Sequence, residues 1–141
     1  MDELPDPIYD RVTELSELGN GALDASQYDA AIGYWRSALA LLPAPQAQWD
    51  AAMWLHASIG DAYREKGAME DALSSFQSAD AAGDGHANAF VQFSLGATLY
   101  DLGRRDDAVD PLLRAYMLEG EEIFEPDDVS YLEFLRSRVR L

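Results

Sequence analysis

One spacing pattern occurs three times in this chain of 141 residues, and it restricts the fold more than any other feature. Each copy has an apolar residue and a glycine, an alanine twelve residues after the glycine, a large apolar residue four further on, and a second alanine three beyond that. From the glycine onward, the copies are Gly19, Ala31, Trp35 and Ala38; Gly60, Ala72, Phe76 and Ala79; and Gly96, Ala108, Leu112 and Ala115. Such a recurrence is typical of proteins that stack similar units of supersecondary structure.

The residue types in the pattern have a packing reason. Glycine and alanine allow two antiparallel helices to approach closely where a larger side chain would hold them apart. The large apolar residue is expected to fill the gap between adjacent hairpins. Glycines also fall where a unit must turn, as with Gly67 and Gly103, because glycine readily ends a helix. The pattern therefore predicts helical hairpins.

This pattern resembles that of tetratricopeptide repeat (TPR) proteins. The resemblance implies an all-α fold, a TPR-like superhelical stack of three helical hairpins with a C-terminal capping helix. We expect a single domain over residues 1–141, with repeats at about 8–43, 47–84 and 86–120 and the capping helix at about 128–140. The predicted helices cover residues 7–24, 28–42, 47–66, 69–82, 86–102, 105–119 and 128–140.

The junction between the first two repeats is longer than the second junction, which places an insertion around residues 43–49. We expect this insertion to lengthen the start of the third helix. Trp49 and Met53, four residues apart, would then share one face of the extension and pack on the neighbouring hairpin.

The chain is strongly acidic, with 26 Asp and Glu against 10 Lys and Arg and a formal net charge of −16. This charge repels phosphate backbones and anionic lipids, so neither nucleic acid nor a membrane is expected as a partner. Two readings of the charge remain open. It either keeps the protein soluble or attracts a basic protein partner.

The residues needed for catalysis or metal binding are scarce. The chain has no cysteine, and its two histidines, His56 and His86, are far apart in sequence. We therefore expect no enzyme activity, no metal, no cofactor and no small-molecule substrate. The opening segment MDELPDPIYD lacks the features of a leader, and no apolar run approaches the roughly 18 residues of a membrane span. The expected location is cytoplasmic.

In a stack of this kind, the first helix of each hairpin lines a concave groove. The register set by the three glycines gives the candidate protein-binding residues Asn20, Leu23, Asp24, Trp54, Asp61, Arg64, Glu65, Phe90, Phe93, Tyr100 and Asp101. This mixture of aromatic and acidic side chains favours a basic protein partner. A second interpretation of Trp54 and Phe90 is that they seal a junction between hairpins or lie under the terminal helix.

A second acidic surface competes with the groove. It follows the third repeat and consists of Glu121, Glu122, Glu125, Asp127 and Asp128. The sequence leaves open whether a partner uses the groove, the convex face or this C-terminal surface.

One TPR subfamily binds the C-terminal carboxylates of heat-shock chaperones with a clamp of lysines, an arginine and asparagines. Of that clamp, only Asn20 stands in a matching place here. The other places hold Ser16, Asp61, Phe90 and Ser94. An acidic groove would also repel a carboxylate, so a co-chaperone function is disfavoured.

Residues 88–139 resemble a group of small bacterial TPR immunity proteins of polymorphic toxin systems. The segments that carry this resemblance are residues 89–91, 113–117, 120–124 and 131–135. This resemblance implies an antitoxin role, in which the small acidic protein binds and neutralises a cognate toxin. The alternatives are a chaperone for secreted proteins of the type III secretion class and a structural adaptor in a protein assembly.

Overall fold

The structure is a computed structural model that describes residues 3–124 and 129–141. Within these residues it contains seven α-helices, three short 3-10 segments and no strand. The helices are α1 (Asp6–Asp24), α2 (Tyr28–Ala40), α3 (Asp50–Lys66), α4 (Met69–Asp80), α5 (Ala89–Asp101), α6 (Arg105–Glu119) and α7 (Val129–Arg138). Consecutive helices pair as the hairpins α1–α2, α3–α4 and α5–α6, and α7 follows them. This confirms the predicted stack of three hairpins with a C-terminal capping helix.

Each hairpin closes where a glycine of its first helix meets the large residue of its second. A β-carbon added at Gly60 would lie 2.7 Å from Cε1 of Phe76, and one added at Gly96 would lie 2.6 Å from Cγ of Leu112. Gly19 faces the indole ring of Trp35 in the same way. The large residue therefore packs inside its own hairpin. It also belongs to a buried cluster that joins neighbouring hairpins, which is where the sequence analysis placed it.

The buried apolar side chains form two clusters along the stack. One joins the first hairpin to α3 and includes Trp35 and Met53. The other joins α4 to the third hairpin and α7, and includes Phe76, Leu112 and Leu135. Because each hairpin buries its faces against its neighbours, the stack holds the first helices of the hairpins side by side.

The first junction differs from the prediction of a longer third helix. Residues Gln46–Gln48 form a 3-10 turn, and Trp49 has an extended backbone, so α3 begins at Asp50. Trp49 precedes the helix, yet it is buried in the same apolar cluster as Met53. Its indole is buried and donates a hydrogen bond to the carbonyl oxygen of Pro43 at 2.8 Å. This bond fixes the turn that precedes α3.

The second junction differs in the same manner. A 3-10 turn occupies Gly85–Ala87, and α5 begins at Ala89, three residues after the predicted start. Asn88 marks this boundary because its Oδ1 accepts a hydrogen bond from the backbone N–H of Val91 at 3.0 Å. An asparagine in this position satisfies a backbone donor that the helix itself cannot satisfy.

Candidate protein-binding site

The first helices of hairpins one and two, α1 and α3, form the walls of an open groove with a volume of about 880 Å³. Two aromatic side chains project into it. Tyr9 of α1 is 58% exposed, and Trp54 of α3 is 51% exposed. Thr13, Ser16 and Asn20 continue the α1 wall as a polar stripe. Side chains of this kind offer apolar contact area together with hydrogen-bonding groups.

The charge of the groove is negative. Four carboxylates line it, on Glu3, Asp6, Glu17 and Asp50, and no Lys or Arg stands among its lining residues in the described part of the chain. Carboxylates that line one cleft reinforce each other's field and attract cations. The α1–α3 groove therefore favours a basic ligand.

Asp61 lies further along α3 and is partly buried. Burial raises the pKa of Asp61 to about 6, the neighbouring Glu65 adds to the rise, and Arg64 opposes it. Arg64 does not fully neutralise Asp61 because its guanidinium binds the next hairpin. It donates to Oγ1 of Thr98 at 2.8 Å and to Oδ2 of Asp101 at 2.7 Å.

The candidate residues of hairpin three lie against the chain's own C-terminal segment. The ring of Tyr131, on α7, packs edge-on against Phe93 at 5.7 Å and Tyr100 at 5.3 Å between ring centroids. Its hydroxyl donates to Oδ2 of Asp101 at 2.8 Å. Burial and the negative Asp101 both raise the pKa of the Tyr131 hydroxyl. The predicted site residues are thus not all brought together in one open groove.

Trp54 and Phe90 both face solvent, since their side chains are 51% and 44% exposed. They do not seal the junction between hairpins. The two side chains border a second, shallower depression of about 320 Å³, next to Glu119 and Glu122 at the end of the third hairpin. Residue Glu122 of the competing acidic surface therefore meets two residues of the predicted groove set.

The remaining candidate residues are dispersed. Leu23 packs against the first apolar cluster, while Asp24 and Glu65 are exposed and do not line the α1–α3 groove. Glu121 forms an ion pair with Arg136. The other members of the competing acidic surface, Glu125, Asp127 and Asp128, lie outside the described residues.

No group of three or more His, Asp or Glu side chains with a geometry suited to a metal ion occurs in residues 3–124 and 129–141. His86 contacts Asp80 at 2.8 Å through Nδ1, and burial lowers the pKa of His56. Among the helices that the structure describes, none combines the length and the apolar character needed to cross a membrane.

Comparison with known proteins gives matches at the level of structure. No protein-family model and no curated protein matches the chain. The TPR domain of Arabidopsis OM64 matches with a TM-score of 0.73 and 17% identity, over 94% of this chain and 99% of that one. The chain has a TPR fold. The first TPR domain of Spaghetti (RPAP3), bound to the HSP90 peptide SRMEEVD, gives a TM-score of 0.69 and 20% identity over 91% and 92% of the two chains. The crystal structure of MamA matches with a TM-score of 0.65 and 15% identity, over 89% of this chain and 74% of that one.

Within this TPR fold, the groove contains residues that the sequence analysis missed. Tyr9 lies one helical turn before Thr13, and Asp50 lies one turn before Trp54. Positions four residues apart share a helix face, so extending the groove register by one turn would have found both. No comparable sequence pattern predicts that Tyr131 packs over the third hairpin.

Proposed function

We propose that this chain is a non-enzymatic protein-binding module whose α1–α3 groove takes a basic segment of a partner protein. The observation that carries the proposal is the lining of the groove. Tyr9 and Trp54 stand about half exposed among four carboxylates, with no Lys or Arg lining the groove in the described residues. The aromatic rings would supply contact area, and the carboxylates would select for Lys or Arg.

Charge separates this groove from that of a structural neighbour. The peptide bound by the first TPR domain of Spaghetti (RPAP3) is SRMEEVD, which carries three acidic side chains. The α1–α3 groove would repel such a peptide because like charges in one cleft raise the free energy of the complex. We therefore propose a ligand of the opposite charge and disfavour a co-chaperone role.

The finer proposal is that the partner is a bacterial toxin and that this protein is its immunity protein, acting in the cytoplasm. The resemblance of residues 88–139 to TPR immunity proteins supports it, as does a net charge of −16 suited to a basic toxin domain. Binding would neutralise the toxin by covering its functional surface. A secretion chaperone or an adaptor would use the same groove and differ in the partner.

A peptide-binding measurement tests the groove. Two labelled peptides of equal length, one alternating arginine with leucine and one alternating glutamate with leucine, are titrated with the protein. The arginine peptide should bind and the glutamate peptide should not. Tyr9→Ala and Glu17→Gln should each weaken binding, Tyr9→Ala by about tenfold because a buried interface aromatic commonly contributes more than 1 kcal/mol. Tyr34→Ala and Asp110→Asn are matched controls on exposed positions outside the groove.

A second measurement tests the toxin assignment. The protein is co-expressed with the product of the adjacent gene, and cell survival is compared for the parent and for Tyr9→Ala. Protection by the parent and its loss in the variant would support the immunity role. A neighbouring product that is harmless when expressed alone would refute this role and leave the protein-binding proposal to the peptide experiment.

A further inference from the structure

The α1–α3 groove and the shallower depression beside Phe90 share one side chain. Trp54 lines both the α1–α3 groove and the shallower depression beside Phe90. We call the latter the Phe90 depression; its lining also includes Glu119, Glu122 and Ile123. A ligand that occupies the groove and contacts Trp54 is therefore already at the edge of the Phe90 depression.

The Phe90 depression combines two chemical features. Trp54 and Phe90 present half-exposed aromatic rings, and Glu119 and Glu122 present carboxylates, while no basic side chain lines it within the described residues. Aromatic faces attract cations, and carboxylates accept paired hydrogen bonds from a guanidinium group. Arginine meets both requirements because its planar cation stacks on rings and donates in a fork, whereas the lysine ammonium is a compact point charge.

A second copy of this chain is a poor occupant, because two molecules with a charge of −16 repel each other. We propose that the Phe90 depression is a subsite for an arginine side chain of the same partner segment that occupies the α1–α3 groove. This inference rests on the proposed function and specifies the chemistry of the partner. Glu122 belongs to the surface that the sequence analysis set against the groove, so the two candidate surfaces adjoin at this residue.

The test compares arginine with lysine at constant charge. The alternating arginine–leucine peptide and a lysine–leucine peptide of equal length are titrated against the parent protein and its variants. The groove carboxylates attract both peptides, but the Phe90 depression should favour arginine by several-fold, as expected for a cation–π contact with paired hydrogen bonds. The ratio of the affinities for the arginine and lysine peptides should fall to near one in Phe90→Ala and in the double variant Glu119→Gln/Glu122→Gln.

Two controls separate the subsite from general effects. The double variant Asp110→Asn/Glu133→Gln removes the same charge at exposed positions that line neither depression. It should keep the arginine preference, as should Glu17→Gln in the groove. Trp54 reports contact directly, because it is 51% exposed while Trp35 and Trp49 are 1% and 8% exposed. The arginine peptide should protect its fluorescence from quenching by acrylamide.

The outcomes are distinguishable. If the parent binds neither cationic peptide, the proposed function fails. If the parent binds both equally, or if the Phe90→Ala and Glu119→Gln/Glu122→Gln variants keep the arginine preference, the α1–α3 groove stands and the arginine subsite is overturned. If the Asp110→Asn/Glu133→Gln control loses the preference as fully as the Glu119→Gln/Glu122→Gln variant, the preference reflects overall charge and the subsite is again overturned.

Discussion

At the scale of single residues, Gly60 of α3 lies directly against the ring of Phe76 of α4. An added β-carbon would lie 2.7 Å from Cε1 of Phe76, whose ring is fully buried. We expect Gly60→Ala to lower the free energy of unfolding by about 1–3 kcal/mol, as overpacked core substitutions commonly do. Thermal or urea denaturation followed by circular dichroism measures the change.

Gly33 provides the matched control. It lies inside α2, and an added β-carbon there would have no neighbour within 4 Å. Alanine loses less conformational entropy than glycine on entering a helix, so Gly33→Ala should raise the free energy of unfolding by about 0.5–1 kcal/mol. If the two variants changed stability in the same direction, Gly60 would not be needed to make room for the ring of Phe76.

Asp61 gives a pH-dependent prediction. Burial raises the pKa of Asp61 from its ordinary 3.8 to about 6, so between these values the folded protein binds a proton that the unfolded chain releases. The contribution of Asp61 to stability is therefore present below pH 4 and lost as the pH rises through about 6. Asp61→Asn should raise the free energy of unfolding at pH 7 by about 3 kcal/mol relative to the parent.

The measurement is the difference in free energy of unfolding between the parent and Asp61→Asn at each pH, because the other carboxylates titrate in both proteins and their effects cancel. This difference should be small near pH 4 and should grow up to pH 7. A difference that stayed constant from pH 4 to pH 7 would mean that the Asp61 carboxyl titrates normally in the folded protein.

At the scale of elements, α7 holds the last hairpin through aromatic contacts. Tyr131 packs between Phe93 and Tyr100 and donates a hydrogen bond to Asp101, which also binds Arg64 of the second hairpin. Tyr131→Ala should lower the free energy of unfolding by about 1–3 kcal/mol, since it removes a packed ring and a hydrogen bond together.

Tyr34→Ala is the control for the Tyr131 prediction. Tyr34 is exposed on α2, so its loss should change stability by less than about 0.5 kcal/mol. Denaturation curves for the two variants, read against the parent, make the comparison. Equal small effects would mean that α7 is held by Leu135 and its apolar neighbours without help from Tyr131.

The helices could be predicted from the sequence because their signals are local. The glycine and alanine register fixed the three hairpins, and the apolar positions of residues 129–139 indicated α7. Asn88 is an N-cap signal that could have placed the start of α5. The start of α3 could not be predicted, since it depends on a turn held by the bond from Trp49 to Pro43. Such bonds form only once the junction has folded.

The site was predictable in part for the same reason. The register predicted which side chains the first helices present, and it placed Trp54 and Asn20 beside the open groove. It could not show that Tyr131 covers Phe93 and Tyr100, because these contacts join residues 38 and 31 positions apart and depend on how α7 docks. Local periodicity contains no information about that docking.

At the scale of the whole molecule, the net charge of −16 acts against the fold. The described ion pairs, such as Lys66 with Asp29 and Arg138 with Asp106, lie at the surface and contribute little to stability. Most carboxylates therefore repel one another without compensation. Like charges spread over one compact body lower its stability relative to the extended chain, where they lie further apart.

Added salt should therefore have opposite effects on folding and on binding. Between about 0.01 M and 0.15 M NaCl the screening length falls from about 30 Å to about 8 Å, which weakens repulsion across the molecule. The melting temperature should rise over this range, and it should rise less in the Asp110→Asn/Glu133→Gln variant, which carries less negative charge. Affinity for the arginine–leucine peptide should fall over the same range, because salt also screens the attraction between the groove and its cationic ligand. A melting temperature that falls with salt would mean that the surface ion pairs outweigh the net repulsion.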